Sequence, residues 1–341
     1  MRLPAPLLRR NKRVHKRDFG HVLVAAGSPT MLGAACLVSL AAMRAGAGLV
    51  TAAVPKKINL TLQAKISHAM MTLPVPGTGD GIFAAGDAPF LLKRLSLFSA
   101  VAIGPGLGRA LSTQAFVLKM LKVCPLPMVV DADALNALAG RTDLLALMAG
   151  PRILTPHAGE FTRLTGEMPT TNADRRCAAA AFAVKHRSVL ILKGYHTVIA
   201  SPDGKSVIDK SGGPELAKAG TGDVLTGIIA GLLAQGVLPF EAATAGVALH
   251  AAWAKACLRH RQPFSLTAVD LVGKGTVPRM LPINRGTVPF TGEEHSGDPY
   301  RNKKEVKADT RNGKRGYKVC MTYSDYANDD LPAEKDCQGK A

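Results

Sequence analysis

One segment near the start of this 341-residue chain constrains the fold more than any other. His21–Ala26 is a short apolar run typical of a buried strand, and Gly48–Val54 is a second one. Between them, the turn Gly27–Leu32 leads into the alanine-rich segment Gly33–Ala47, whose apolar residues recur with helical spacing. A strand, a helix and a strand within about 35 residues form a βαβ unit, in which the two strands are parallel. The sequence therefore predicts a parallel sheet.

The same alternation continues along the chain. Further strands are predicted at Ala100–Ile103, Met128–Asp131, Arg152–Thr155, Val189–Lys193 and Thr197–Ala200. Further helices are predicted at Ser112–Lys122, Ala134–Ala139, Ala158–Thr165, Asn172–His186, Gly222–Gln235 and Pro239–Leu258. Because the strands are apolar without alternation, both faces of the sheet are expected to be covered by helices. The predicted fold is a three-layer α/β/α sandwich with a mostly parallel central sheet.

Composition divides the chain into three parts. Residues 1–13 form a basic lead-in, and residues 14–284 carry the alternating strands and helices of one domain. Residues 285–341 are rich in charged residues, Asn and Gly, with few apolar side chains. Such a segment buries too little surface to offset its ordering entropy, so it is predicted to be a disordered tail.

Charge and cysteine usage narrow the class of protein. The formal net charge of +18 favours polyanionic small molecules such as nucleotides, and no nucleic-acid-binding motif accompanies it. No apolar run reaches membrane-spanning length, and the basic N-terminus lacks the apolar region of a signal peptide. The six cysteines lie far apart without metal-ligand spacing. A cytoplasmic location is therefore expected, with no structural zinc, no membrane and no specific nucleic acid.

The strongest motif is SGGPELAKAGTGDVLTG at 211–227, a glycine-rich turn that leads directly into an apolar helix. Unpaired N–H groups at a helix start, helped by the helix dipole, bind phosphate oxygens. Gly220 and Gly222 allow the backbone to approach a phosphoryl group, and Asp223 is placed to act as a general base on a substrate hydroxyl. The alternative is that Asp223 only caps the helix.

Other polar segments follow predicted strands, and the carboxyl ends of parallel strands form a ligand crevice. These segments are GPGLG at 104–108, DAD at 131–133, TPHAGE at 155–160 and KGYHT at 193–197. Asp131 and Asp133 suit Mg²⁺ held partly through water beside phosphates, and Lys193 is placed to meet a phosphate. Each segment also has a structural alternative: a tight turn, a helix cap, favourable first-turn charge at Glu160, or an ordinary hairpin.

Six segments in order give the chain a specific resemblance. They are HVLVAAGSPTMLGAA at 21–35, AIGPGLGR at 102–109, VVDADALNALAG at 129–140, ILTPHAGEFTRLTG at 153–166, VLILKGYHTVIASPDG at 189–204 and GTGDVLTG at 220–227. Together they resemble the ADP/ATP-dependent NAD(P)H-hydrate dehydratases, relatives of the ribokinase-like small-molecule kinases. The resemblance covers about residues 14 to 283 and implies a ribokinase-like fold.

The resemblance also implies roles for individual residues. Those implied to contact the hydrated nicotinamide nucleotide (NADHX or NADPHX) are Ala34, Gly106, His157 and the catalytic Asp223. Those implied to bind ADP or ATP are Lys193, Gly194, Tyr195, His196, Thr197, Gly220, Thr221 and Gly222. Mg²⁺ is implied as a cofactor, with Asp131 and Glu160 near it, partly through water. A separate NAD(P)HX epimerase is the implied functional partner, the dehydratase domain is expected to stand alone, and a homo-oligomer, a tetramer in the family, is implied.

Three positions depart from the family pattern. Arg17 stands where glycine is usual, and Gly213 and Glu215 stand where Asn and Gly are typical. The first concerns a peripheral turn; the other two precede the phosphate-binding turn and are expected to alter nucleotide affinity or the choice between ADP and ATP. Three alternatives stay open at this point: a kinase for a thiazole or pyrimidine alcohol, a nucleotide-binding protein without chemistry, and a basic nucleic-acid-associated protein.

Overall fold

The computed structural model of the chain describes residues 13–273. The tail predicted after residue 284, and the predicted basic lead-in apart from Arg13, lie outside the described residues. Among residues 13–273, no helix combines the length and the apolar character that crossing a membrane requires. The four cysteines in this range are all free thiols.

Nine strands form one sheet in the order β3-β2-β1-β4-β5-β6-β7-β8-β9. The strands are β1 His21–Ala25, β2 Leu49–Pro55, β3 Met71–Val75, β4 Ala100–Ile103, β5 Met128–Val130, β6 Arg152–Leu154, β7 Val189–Leu192, β8 Thr197–Ala200 and β9 Ser206–Asp209. Strands β1 to β7 pair in parallel, whereas β8 pairs antiparallel with both β7 and β9. The sheet is therefore mostly parallel, as predicted, with an antiparallel hairpin at one side.

Helices connect and cover the strands. They are α1 Leu32–Arg44, α2 Lys56–Lys65, α3 Asp87–Leu92, α4 Leu111–Val123, α5 Asp133–Leu138, α6 Ala158–Thr165, α7 Asn172–Lys185, α8 Thr221–Ala234, α9 Pro239–Cys257 and α10 Ala268–Leu271. Short 3₁₀ turns lie at Lys16–Phe19, Leu95–Leu97, Thr142–Leu147, Pro214–Leu216 and Pro263–Ser265.

Two separate apolar cores confirm the three-layer arrangement. On one face of the sheet, Val22 and Val24 of β1 pack with residues of α1, α8 and α9. On the other face, Leu23 and Ala25 of the same strand pack with residues of α3 to α7. Because successive side chains of a strand point to opposite faces, one fully apolar strand supplies both cores.

Helices α1 and α8 lie side by side with their backbones in close contact. A Cβ atom added at Gly227 would lie 2.3 Å from the carbonyl oxygen of Val38, and one added at Gly231 would lie 2.6 Å from that of Ala42. Near the start of α8, a Cβ at Gly220 would lie 2.8 Å from Cδ1 of Leu37. Since the residue numbers rise together along both helices, the two helices run in the same direction and begin at the same edge of the sheet.

Two strands and three helices were not predicted. The strands β3 and β9 lie at the two sides of the sheet, where exposed residues interrupt the apolar pattern. Strand β3 also contains Pro74, which is tolerated at a sheet edge because no ladder partner needs its N–H. Helix α2 is largely exposed, and α3 and α10 are single short turns, so hydrophobic period gives little signal for any of them.

Candidate active site

The predicted functional segments meet at the carboxyl edge of the sheet. Each follows its strand directly: Gly104 follows β4, Asp131 follows β5, Thr155 follows β6 and Lys193 follows β7. The loops interlock, since a Cβ at Gly104 would lie 1.8 Å from the carbonyl oxygen of Asp131. The crevice predicted from strand ends is therefore a set of packed turns with fixed relative positions.

The turn before α8 presents backbone donors. Gly220 adopts a left-handed φ of 84°, which glycine tolerates and other residues rarely adopt. The hydroxyl of Thr221 donates to the carbonyl oxygens of Leu216 and Lys218 at 2.7 and 2.8 Å, which holds the turn closed. Within the described chain, the N–H groups of Ala219, Gly220, Gly222 and Asp223 have no hydrogen-bond acceptor. This arrangement provides the donors and the dipole that an anion site requires.

A buried ion pair lies against this helix start. Nζ of Lys193 donates to Oδ1 of Asp131 at 2.9 Å, and the Thr226 hydroxyl donates to Oδ2 of Asp131 at 2.8 Å. Oε2 of Glu160 lies 3.8 Å from the same Nζ. A Cβ at Gly222 would lie 3.6 Å from Nζ of Lys193, so the missing side chain leaves the ammonium group and the turn facing each other.

Neighbouring carboxylates stabilise the protonated form of Lys193. Burial lowers the pKa of this ammonium group, but the carboxylates of Asp131 and Glu160 raise it by more, and the net pKa lies above the ordinary value. Lys193 is therefore a cation at neutral pH. Its position between two carboxylates and the helix start allows it to attract a phosphate oxygen.

Asp223 does not cap α8. The N-cap residue is Gly220, and the carboxylate of Asp223 makes no hydrogen bond or ion pair within residues 13–273. Burial, together with the nearby charge of Asp131, raises the pKa of Asp223 to about 7, although Lys193 opposes the shift. A carboxylate with a pKa near neutrality and no fixed partner can accept a proton at physiological pH.

His157 serves as a helix cap and still presents one ring nitrogen. Its Nδ1 accepts from the backbone N–H of Glu160 at 3.2 Å, and Glu160 Oε2 accepts from the backbone N–H of His157 at 2.8 Å. This reciprocal pair is a capping box at the start of α6. Nε2 lies 3.6 Å from Glu160 Oε1 on a side chain that is 56% exposed. Glu160 therefore has the first-turn role given as its alternative, and His157 Nε2 remains accessible to a ligand.

A cavity of about 540 Å³ opens between the β7–β8 loop (residues 193–197) and the turn before α8. Its lining includes six of the predicted nucleotide-binding residues: Lys193, Gly194, Tyr195, Thr197, Thr221 and Gly222. Gly220 adjoins Thr221, and the ring of His196 stacks on that of Tyr195 with centroids 4.0 Å apart. The two segments predicted to bind nucleotide thus line one cavity.

The predicted substrate-contacting residues lie beside this cavity. A Cβ at Gly106 would lie 3.0 Å from the Cβ of Ala34, so these two positions are adjacent at the start of α1. His157 reaches the ion pair through Glu160, and Asp223 follows the wall residue Gly222. Asp223 thus adjoins the cavity wall at Gly222, and Ala34 lies about one helical turn before Leu37, whose side chain meets the Gly220 turn.

Gly213 and Glu215, two of the positions that depart from the family pattern, lie in contact with each other. Gly213 and Pro214 line the cavity, and the carboxylate of Glu215 lies so close to Gly213 that a Cβ there would be 2.3 Å from Oε2. Glycine at 213 therefore accommodates the buried glutamate at 215. Arg17 lies in an exposed 3₁₀ turn at Lys16–Phe19, consistent with a peripheral role.

Sequence reasoning missed two residues at this site. Thr226 binds Asp131 across 95 positions of sequence; its signal was a hydroxyl one helical turn after Asp223 in an otherwise apolar helix. His250 of α9 lines the cavity, and burial lowers its pKa to about 4, so its ring is neutral at physiological pH. A lone histidine in an alanine-rich helix was its only signal.

The sheet order, the two helical layers and the glycine-rich turn ahead of α8 define a ribokinase-like α/β protein. A solved ribokinase-like superfamily protein from Enterococcus faecalis is 25% identical, with a TM-score of 0.63 over 77% of this chain and 88% of that chain. The ADP/ATP-dependent NAD(P)H-hydrate dehydratase of Bacillus subtilis, crystallised with ATP/Mg²⁺, is 33% identical, with a TM-score of 0.65 over 77% of this chain and 90% of that chain.

Sequence comparison gives the family. A family model described as NAD(P)H-hydrate dehydratase matches residues 22–275. The ADP-dependent (S)-NAD(P)H-hydrate dehydratase of Bacillus subtilis is 38% identical over 270 residues, covering 78% of this chain and 91% of the relative. The chain belongs to the NAD(P)H-hydrate dehydratase family.

Longer relatives match over part of their length. The bifunctional NAD(P)H-hydrate repair enzyme of Moorella thermoacetica is 46% identical over 270 residues, covering 78% of this chain and 50% of the relative. The chain spans about half the length of the first curated relatives it matches.

Proposed function

We propose that this protein uses ADP or ATP to dehydrate the S epimer of hydrated NADH or NADPH back to NADH or NADPH. The observation that carries the proposal is the position of Asp223, a carboxylate with a pKa of about 7 at the start of a helix whose free N–H groups and neighbouring lysine suit phosphate. Family membership favours the dehydratase over the kinase, binding-protein and nucleic-acid alternatives.

Asp223 is the proposed general base. It takes the proton from the ring hydroxyl while that oxygen attacks the terminal phosphorus of the nucleotide, whose bond to the bridging oxygen breaks. Hydroxide is a poor leaving group and phosphate is a good one. Phosphate then departs with the electrons of its C–O bond, and the ring nitrogen lone pair stabilises the cation that forms. Loss of a proton from the adjacent ring carbon restores the dihydronicotinamide without any redox change.

The remaining groups stabilise charge on the transferring phosphoryl. The proposed backbone donors are the N–H groups from Ala219 to Gly222, apart from that of Thr221, which donates to Lys218. Lys193 supplies a positive charge next to Gly222, where an added Cβ would lie 3.6 Å from Nζ. Preorganised donors of this kind are the main protein contribution to phosphoryl transfer. Ala34, Gly106 and His157 are the proposed contacts of the nicotinamide substrate.

The carboxylate oxygens at this edge of the sheet fit a magnesium ion that is held largely by water and nucleotide phosphates. Both oxygens of Asp131 are engaged, by Lys193 and Thr226, and residues 13–273 contain no cluster of three or more His, Cys, Asp or Glu arranged to hold a metal directly. Asp131 and Glu160 remain the proposed outer partners of Mg²⁺, which supplies neutralising charge to the phosphates when bound.

Three further parts of the proposal concern the location, the oligomeric state and the functional partner of the protein. We propose a cytoplasmic location, a homo-oligomeric state, and a functional link to an NAD(P)HX epimerase. The bifunctional naming of the longer relatives supports the epimerase link. The choice between ADP and ATP is left to the assay below.

The test is the recovery of dihydronicotinamide absorbance from purified NADHX and NADPHX with ADP, ATP or no nucleotide. We expect recovery only in the reactions that contain ADP or ATP. It should be accompanied by one free phosphate per turnover and no phosphorylated product. Recovery without nucleotide, or no recovery with either nucleotide, would reject the proposal. Accumulation of a phosphorylated thiazole or pyrimidine alcohol in parallel reactions would support the kinase instead.

A further inference from the structure

Arg175 of α7 binds the backbone of the β7–β8 loop. Its guanidinium donates hydrogen bonds to four carbonyl oxygens, those of Leu192 at 3.0 Å, Lys193 at 3.3 Å, Tyr195 at 2.6 Å and His196 at 3.1 Å. A fifth contact, to Oδ1 of Asn172 at 3.4 Å, fixes the side chain on its own helix. The five N–H donors of an arginine are spread over a rigid planar fork that can span several carbonyls, whereas the three donors of a lysine radiate from one nitrogen and cannot match that arrangement.

The charge of Arg175 is not neutralised locally. Within residues 13–273, no carboxylate lies within ion-pair distance of its guanidinium. Burial lowers its pKa, but a guanidinium remains charged at physiological pH. A positive charge therefore lies directly behind the loop.

The loop depends on this side chain for its conformation. His196 has a φ of 57°, in a region that costs a non-glycine residue roughly 1 kcal/mol or more. Gly194 has a φ of 150°, and a Cβ there would lie 2.9 Å from Nη2 of Arg175. Between residues 194 and 197, the hydrogen bond from the Thr197 hydroxyl to the Gly194 carbonyl is the loop's own closure. Arg175 supplies the other bonds that hold the carbonyls in place.

The direction of the carbonyls determines the direction of the amides. In a trans peptide, the C=O of one residue and the N–H of the next point in opposite directions. With the Lys193 and Tyr195 carbonyls bound to Arg175, the N–H groups of Gly194 and His196 point away from the guanidinium. These two N–H groups have no acceptor within the described chain. Arg175 does not line the cavity, whereas loop residues on the other side do.

We infer that Arg175 is a positioning residue for nucleotide binding. It collects the carbonyls of the β7–β8 loop on one side, so that the amide of Gly194, a residue that lines the cavity, and the charge behind the loop act on oxygen atoms of a nucleotide in the cavity. The inference rests on the proposed function for the identity of the ligand. It concerns a side chain outside the six ordered motifs, 20 residues before the loop it holds.

The test measures ADP binding by calorimetry for Arg175→Met, which removes the charge, and Arg175→Lys, which keeps the charge and removes the fork. Both variants are expected to raise the Kd for ADP by about tenfold or more. In the steady state, the KM for nucleotide should rise while kcat and the KM for NADHX change less than about twofold. Arg176→Met is the matched control, since the neighbouring Arg176 is exposed and its side chain makes no hydrogen bond or ion pair with residues 13–273.

Each outcome decides between explanations. Wild-type affinity in Arg175→Lys would overturn the positioning role and leave a purely electrostatic one, and wild-type affinity in both variants would remove any role. An equal loss in the Arg176→Met control would show a general effect of charge. Hydrogen exchange of the Lys193 amide, which donates to the Pro156 carbonyl at 2.8 Å, is expected to accelerate in both Arg175 variants while strand amides stay protected, which separates local loosening from unfolding. Because ADP binding is read without turnover, failure here is distinct from failure of the dehydratase assay.

Discussion

Two arginines at opposite edges of the sheet make almost the same bonds. Arg152, at the start of β6, donates to the carbonyl oxygens of Leu121, Cys124, Leu126 and Pro151 at 2.6 to 3.1 Å. Arg175 does the same for the β7–β8 loop at the carboxyl edge. Neither has a carboxylate within ion-pair distance in the described chain. The chemistry of the guanidinium is therefore the same in both places.

The two arginines differ in what lies on the other side of the backbone segment that each one binds. The carbonyls that Arg152 holds belong largely to the last turn of α4 and the chain after it, and Arg152 itself is only 2% exposed. The carbonyls that Arg175 holds belong to a loop whose other face lines a cavity. Burial and hydrogen bonding alone thus do not distinguish a structural arginine from a functional one; the surface presented by the held segment does.

The largest expected effect lies at the carboxyl edge. Asp223→Asn removes the proton acceptor and should lower kcat by roughly 10²–10⁴-fold with the fold intact. Because burial and Asp131 raise the pKa of Asp223, the charged form destabilises the native state above the unfolded pKa. The variant should therefore gain ~1–3 kcal/mol of unfolding free energy at pH 7. Turnover of NADHX and urea unfolding check both, and normal turnover would reject the assigned role.

At the amino edge of the sheet, substitution of Arg152 should show the reverse pattern: a loss of stability without a loss of activity. Arg152→Met fills a similar volume but leaves buried carbonyls at the end of α4 without donors, at about 1–3 kcal/mol each, partly offset because no charge is buried. We expect a net loss of roughly 2–5 kcal/mol in urea unfolding and a kcat within about twofold of wild type for the folded protein. Loss of kcat without loss of stability would contradict the structural role.

The pH dependence of activity should come from Asp223 at the carboxyl edge. If Asp223 must be ionised, kcat/KM should fall about tenfold per pH unit below about pH 7, the pKa of its carboxyl group. Stability changes in the opposite direction: native Asp223 holds its proton between the unfolded pKa and about 7, so its contribution to unfolding free energy decreases as pH rises through that window. The kcat/KM slope should disappear in Asp223→Asn, and its persistence would assign it to another group. The stability slope should lose only the share of Asp223, since the lowered pKa of His250 contributes in the opposite direction.

The smallest expected effect comes from a substitution at the start of α8, where a phosphoryl group is proposed to approach the backbone. At Gly222, an added Cβ would lie 3.6 Å from Lys193 Nζ and 3.9 Å from Asp131 Oδ2, an ordinary contact distance that the fold tolerates. Gly222→Ala should therefore keep or slightly raise the melting temperature, yet lower kcat/KM about tenfold by occupying space for the phosphoryl group. Gly86→Ala is the control, because open space surrounds Gly86; similar activity loss there would remove the steric explanation.

The sequence predicted the parts of this protein that local pattern encodes. Strand β4 and helix α6 have the predicted limits, Ala100–Ile103 and Ala158–Thr165, because buried runs and capping residues are local signals. The order of segments along a parallel sheet also predicted that Asp131, Lys193 and Asp223 would lie near one another. The prediction that they converge at the carboxyl edge is confirmed by the geometry, whereas the substrate and metal roles of individual residues stay predictions.

The rest depends on contacts between distant positions. Nothing near Arg175 in the sequence indicates that its side chain reaches Tyr195, and nothing near Thr226 indicates a bond to Asp131. Strand β9 is polar enough that only its pairing with β8 makes it a strand. Such features follow from packing of the whole domain, which periodicity within short windows does not report.

The glycine contacts between α1 and α8 set the distance between these two helices. Gly227 and Gly231 stand one and two helical turns beyond Asp223, the proposed base, where the two backbones touch. The spacing of the helices that carry Ala34 and Asp223 therefore depends on two positions that lack a side chain. A bulkier residue at either glycine would force the two helices apart and displace the proposed base, Asp223, relative to Ala34, a proposed substrate contact.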